Sequence, residues 1–304
     1  MINSTQVSYF TLSAYFNTGV FKYLFFMMVL SWYVVIVCSN LFLIAVICMN
    51  RSLHEPMYLF LCSLFVNELY GSTGLFPFLL VQILSDVHTV SVPYCFLQIF
   101  CLYSYACVEF FNLTIMAYDR YLAICYPLQY NTRMTSNKIT VLIALIWSYG
   151  SVLCIVPVIL SSSLQLCGNI INKVYCDNYT IMKLACSYTT ASNIYGLLAT
   201  CLTIACPVSL ILYTYMRILK VCFSGSKQTR QKAVSTCTPH IVSLLNFSFG
   251  ACFEILQSRF NMNGVPNMLR IFLSLYWLTC QPLLNPLLYG LNMSNIRILC
   301  RHIC

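Results

Sequence analysis

Only seven acidic residues occur in this chain of 304, so each is a candidate for chemistry. Four of them, Glu68, Glu109, Asp119 and Glu254, lie in or at the edges of long apolar runs. A charge at mid-bilayer depth costs at least about 2.5–3.5 kcal/mol, so such a group should face a bundle interior and meet a partner there. Glu68 lies about 18 Å along its run and Glu109 about 15 Å before Asp119, at the rise of a helix. Two carboxyls at one level can share a proton or hold a small cation between them. The alternative is that both are protonated and hydrogen-bonded to Asn40, Asn112 or Asn285.

The stretch MAYDRYLAIC (116–125) sets Asp119, Arg120 and Tyr121 at the end of an apolar run. Sequence neighbours face each other poorly on a helix, yet an Asp can restrain the next Arg at a helix end. Such an Arg, at the inner mouth of a bundle, can hold a closed state and change partner when helices separate. In PLLNPLLYG (282–290), Pro286 removes a backbone donor, Asn285 can satisfy the carbonyl it frees, and Tyr289 follows one turn on. This stretch reads as a hinge, and Pro239 marks a second bend.

The elements that must position these groups follow from composition. Hydrophobic residues make up 60% of the chain, charged residues 8%, and mean hydropathy is +0.80. A soluble domain carries about 25% charged residues, so membrane is the solvent this surface suits. Runs long enough to cross a bilayer, about 20 residues, fall at 24–49, 57–82, 95–125, 139–160, 194–222, 232–257 and 266–290. Lipid cannot satisfy an open sheet, so these are helices. The expectation is an all-α membrane protein, a single seven-transmembrane helix bundle. It has an outer tail at 1–23, a long outer loop at 161–193 and a short inner tail at 291–304.

With the N-terminus outside, the inner side holds Arg51, Arg120, Arg133, Lys138, Arg217, Lys220, Lys227, Arg230, Lys232, Arg297 and Arg301. The outer side holds Lys22, Lys173, Lys183, Arg259 and Arg270. Eleven against five is a positive-inside bias. The net charge of +9 is therefore topology and attraction to membrane lipid, with no soluble basic face for nucleic acid. No positive n-region precedes the first run, so no cleaved signal peptide is expected. Asn3 opens a glycosylation sequon on the outer tail, and Asn178 opens another in the outer loop. Of 19 cysteines, Cys95, Cys167, Cys176 and Cys186 fall outside, where disulfides are expected and three pairings are open.

Catalysis finds no support. The histidines at 54, 88, 240 and 302 are scattered, Cys237 with His240 does not make a zinc site, and no nucleophile meets a base. A transporter would favour inverted repeats, and none is evident.

Four stretches then resemble one family. LHEPMYLFL (53–61), MAYDRYLAICYPLQY (116–130), KAVSTCTPH (232–240) and PLLNPLLYG (282–290) are similar, in order and spacing, to the signatures of odorant receptors, rhodopsin-like G-protein-coupled receptors. The chain departs from that pattern at Ser39 (usually Gly), Glu68 (usually Asp) and Pro239 (usually Ser). The resemblance implies disulfides Cys95–Cys176 and Cys167–Cys186, and an allosteric Na+ site at Glu68 and Glu109 but no other cofactor. It implies Tyr215 and His240 near the G-protein face, with Asp119-Arg120-Tyr121 as the latch there, beside the switching Asn285, Pro286 and Tyr289. The implied partner is a stimulatory olfactory heterotrimeric G protein, the readout cyclic AMP, and the location the plasma membrane with the N-terminus extracellular.

For the ligand, a small odorant, Arg259 resembles the Arg with which class I (fish-like) receptors grip a carboxylate, as bidentate pairing would suit. Glu254, five residues below, could neutralise it instead. By the same analogy Tyr103, Cys107 and Ile255 line an apolar pocket, with Tyr179 in its lid. Leu102 stands where amine receptors of this kind carry an Asp, which argues against amines. The alternatives to an odorant receptor are a non-olfactory chemosensory receptor of the same class and, further off, a membrane transporter.

Overall fold

The computed structural model describes residues 7–15, 19–224, 227–260 and 264–292. Asn3 and the tail beyond 292 lie outside the described residues. Helices α1 (Phe21–Met49), α2 (Pro56–Leu84), α3 (Val92–Cys125) and α4 (Ser136–Ser162) follow the first four apolar runs. Proline fits the first turn of a helix, where no backbone donor is needed, and α2 starts on Pro56. Thr135 caps α4 by accepting from the Lys138 amide, 3.4 Å away. Helix α5 has two segments, Thr190–Thr200 and Cys206–Ser224, joined by one π-helical turn, Cys201–Ala205. Helix α6 (Lys227–Arg259) is one element with Pro239 inside it.

Six of these helices or joined segments are each long and apolar enough to cross a membrane, and a seventh crossing is a bent pair. That pair is α7, made of Asn267–Thr279 and Gln281–Asn292 and bent by 45° between them. The bend corrects the hinge expected at Pro286. Pro286 cannot donate to the Pro282 carbonyl, but Asn40 of α1 does so in its place at 2.9 Å. Asn285 was expected to fill that role and is engaged elsewhere. The weak point falls one turn earlier, just before Pro282, where Trp32 Nε1 of α1 donates to the Thr279 carbonyl at 3.1 Å.

Helix α3 runs through the middle: 61% of its most apolar window is buried, against 28% for α1 and 17% for α5. This follows from its sequence, since Glu109, Asn112 and Asp119 must all avoid lipid, and all three are fully buried.

One end of the bundle carries both disulfides, and the opposite end carries Arg120. At the disulfide end the expected plain tail is partly a strand. β1 (Tyr9–Leu12) lies between β2 (Thr89–Ser91), antiparallel, and β3 (Ile170–Ile171), parallel. Phe10 and Leu12 are buried in the core beneath, with Val90 and Ile171. The long loop between α4 and α5 contributes β3 and a short helix, Asn178–Lys183. Asn178 itself is buried at the base of that loop, which does not suit glycan attachment.

Cysteines 95 and 176 are joined, as are 167 and 186. The first closes 81 residues and the second 19. Loop-closure entropy then assigns about 4.5 kcal/mol to the first and about 3.3 to the second. Cys95→Ser should lower the thermal midpoint more than Cys167→Ser, and equal losses in thermal melts would contradict that order.

Candidate functional site

Beneath the loop, α3, α4, α5, α6 and α7 enclose a cavity of about 190 Å³. Tyr103, Cys107, Tyr179, Ile255 and Arg259, singled out separately in the sequence, all line it. The other walls are mainly apolar, from residues such as Leu153, Pro157, Ala199 and Ile204. Cys107 Sγ lies 3.5 Å from Cys154 Sγ, and both thiols are buried. Tyr103 donates to Asp177 Oδ1 at 2.9 Å, tying the wall of α3 to the loop above.

Arg259 ends α6 with its guanidinium 4.8 Å from the centre of the Tyr179 ring, a cation–π contact. Lys183 Nζ lies 4.7 Å from the same ring and donates to the Ser258 carbonyl. Among the described residues Arg259 forms no ion pair. Glu254 does not neutralise it, contrary to the alternative raised by their spacing, because Glu254 binds Lys173.

That lysine is the residue the sequence reading missed. Lys173 is 7% exposed, donates to Glu254 and to Ser258 Oγ (2.8 Å), and lies 3.3 Å from Asp177 Oδ2. Burial alone would pull its ammonium down, but Asp177 and Glu254 outweigh that and hold it above the ordinary lysine range. For Asp177, burial pushes upward, while Lys173 and the hydrogen bonds from Thr180 and Tyr103 hold it below the usual carboxylate range. The available signal was Lys173 four residues before Asp177. Its third partner, 81 residues away on α6, left no local trace.

The cavity floor is aromatic. Phe110 and Trp277 line it, and Phe247 packs on both at ring separations of 4.9 and 6.1 Å. Tyr105 packs on Trp277 at 6.0 Å and donates to Glu68 Oε2 at 2.9 Å. The floor therefore connects directly to a buried polar core.

In that core Glu68 and Glu109 do come together, linked through Asn285 Nδ2, which donates to both. Glu109 also accepts from Asn67 Nδ2 (3.0 Å) and Gln281 Nε2 (3.1 Å). Asn285 Oδ1 accepts from Ser243 Oγ of α6 at 2.7 Å. Neither Asn40 nor Asn112 is hydrogen-bonded to the acids. Every carboxyl oxygen of the pair already receives an N–H or O–H. A Na+ ion between the two acids would share these oxygens with the Asn67, Tyr105, Gln281 and Asn285 donors.

Towards the Arg120 end, Tyr215 Oη and His240 Nδ1 are hydrogen-bonded between α5 and α6, both buried. Tyr289 is buried nearby in the core shared by α1, α2 and α3. Asp119 Oδ2 accepts from Arg120 Nη2 (2.7 Å) and Nε (3.1 Å), so the adjacent pair does close on itself. Tyr130, unremarked in the sequence, donates to Asp119 Oδ1 at 2.7 Å. Tyr121 Oη reaches Tyr126 Oη at 3.4 Å.

This architecture has relatives. Residues 28–304 match the family model described as olfactory receptor. The chain is similar to human olfactory receptor 52D1, 36% identical across 88% of this chain and 85% of that protein. It is similar to olfactory receptor 4E2 of Mus musculus, 33% identical across 99% and 97%. It is also similar to human olfactory receptor 10A6, 34% identical across 97% and 94%. The match spans the helices that carry the cavity, the polar core and the Asp119–Arg120 pair, and with it the chain belongs to the olfactory receptor family: a multi-pass membrane odorant receptor and not an enzyme.

Proposed function

We propose that this receptor takes a small carboxylate odorant in the cavity under the loop, with Arg259 as the anion's partner. Tyr103, Cys107, Tyr179 and Ile255 shape the apolar remainder. The observation that carries this is the state of the cavity's charges: Asp177 and Glu254 are engaged by Lys173, while Arg259 lines the cavity with no acid partner among the described residues. Arg259 is partly buried, and a guanidinium favours bidentate pairing with a carboxylate. Size agrees, since a cavity of roughly 150 Å³ accepts benzene, and this one is about 190 Å³.

The disulfide end faces the outside of the plasma membrane in this reading, and the Arg120 end faces a stimulatory olfactory heterotrimeric G protein that raises cyclic AMP. A ligand pressing on Trp277 and Phe110 acts on Phe247 of α6 and, through Tyr105 and Glu68, on Asn285 of α7. Binding shifts the population of two bundle states by the difference in its affinity for them.

The test is cyclic AMP in cells expressing the receptor with that G protein, against short carboxylic acids and matched esters. Acids should act, and Arg259→Ala should cost them about tenfold or more in potency at equal surface level, the worth of one charged partner. Equal responses to acids and esters, unchanged in the variant, would refute the carboxylate assignment.

A further inference from the structure

The surroundings of the Lys173 ammonium form a box. Asp177 Oδ2 lies at 3.3 Å, Ser258 Oγ at 2.8 Å, the Glu254 carboxylate is in direct contact, and the Tyr175 ring centre is 5.8 Å away. Two carboxylates, a hydroxyl and an aromatic face are the groups that recognise an alkylammonium ion. Asp177, Glu254, Ser258 and Tyr175 also line the cavity, so the box opens onto the odorant's space. Lys173 reaches it from the loop, beside β3 and three residues before the disulfide at Cys176, which fixes where its chain must start.

We infer that this box is an amine-binding subsite of the odorant cavity, occupied by the receptor's own Lys173, and that this tethered ammonium decides the charge of ligand the cavity accepts. The part concerning acids rests on the carboxylate reading above; the part concerning amines stands on the box alone.

The charge balance gives the direction. Lys173, Lys183 and Arg259 bring three positive charges to the cavity and its rim, Asp177 and Glu254 two negative ones. With Lys173 in place both acids are ion-paired to it, and the one positive charge in excess is left to an anion. Without Lys173 neither acid has an ion-pair partner among the described residues, and a small amine can supply the missing ammonium. The lysine therefore acts by exclusion as much as by attraction, filling the place a competing ligand class would take.

The experiment compares the native receptor with Lys173→Ala, Lys173→Ala/Glu254→Gln and Arg259→Ala in the same cyclic AMP assay. The probes are ethylamine, propylamine and butylamine, with the matching carboxylic acids. The native receptor should ignore the amines. Lys173→Ala should gain amine sensitivity by about tenfold or more, and the added Glu254→Gln should remove that gain. Where Lys173→Ala fails to reach the surface, culture with propylamine should restore its surface level, and should not restore the level of a Cys95→Ser control. The idea is overturned if Lys173→Ala shows neither an amine response nor amine-dependent rescue, or if either one survives Glu254→Gln. Native responses to acids, and their dependence on Arg259, judge the carboxylate reading separately.

Discussion

Gly250→Ala should unseat α7 from α6, even though it adds a single methyl group. A Cβ at this position would lie 2.6 Å from Trp277 Cβ and 3.1 Å from Trp277 Cα. Those atoms belong to the backbone of α7 or are fixed to it, so no rotamer change relieves the overlap and the helices must part. Overpacking a well-filled interior costs about 1–3 kcal/mol, and a contact with backbone belongs at the upper end. Trp277 also floors the cavity and stacks near Tyr105, so its displacement carries to the polar core. The comparison is Gly196→Ala on α5, where a Cβ meets nothing within 4 Å. Replacing glycine within a helix there should be neutral or stabilising by about 0.5–1 kcal/mol. Thermal melts of the two variants should move in opposite directions or at least differ by several degrees. Indistinguishable melts would show that α6 and α7 can slide apart at little cost.

Asn285→Asp should damage the receptor at least as much as Asn285→Ala. The side chain donates to Glu68 and to Glu109, and accepts from Ser243 Oγ, so it joins α2, α3 and α6 to α7. Alanine leaves Glu68 Oε1 without its donor and Ser243 Oγ without its acceptor, at about 1–3 kcal/mol each. Aspartate keeps the shape but sets a third carboxyl against two others, where like charges repel. If Asn285 merely fills space, the isosteric Asp would melt close to the native protein and Ala would not. Melts and surface levels of both variants distinguish the cases. The losses will not be additive with changes at Glu68 or Glu109, because all three groups share hydrogen bonds.

The seven crossings were legible because lipid enforces long uninterrupted apolar runs, and the ends of those runs agree with the helices to within a few residues. Glu68 and Glu109 could be matched by depth alone, since helical rise is fixed. Tyr103, Cys107, Ile255 and Arg259 could be aligned through the family pattern, and they share one cavity. What escaped depended on tertiary partners. Nothing local in Lys173 reveals an acid on α6. The strand at Tyr9–Leu12 needs two partners that arrive 77 and more residues later, Thr89–Ser91 and Ile170–Ile171. The bend of α7 was misplaced for a related reason: Pro286 does free a carbonyl, but Asn40 on another helix closes the gap. Proline marks where a helix loses a hydrogen bond, and only the neighbours decide whether it bends.

The π-helical turn at Cys201–Ala205 also bears on how such chains diverge. A turn of this kind accommodates one more residue than the α-helix around it, so it can absorb a single-codon insertion without breaking the rod. Below the turn every side chain is rotated relative to an uninterrupted helix, while those above keep their directions. Thr200 and Thr203 both face the cavity across this junction. A relative without the extra residue would present a different set of side chains from the same aligned letters. Within α5, equivalence between receptors has to be judged by direction in space rather than by counting along the sequence.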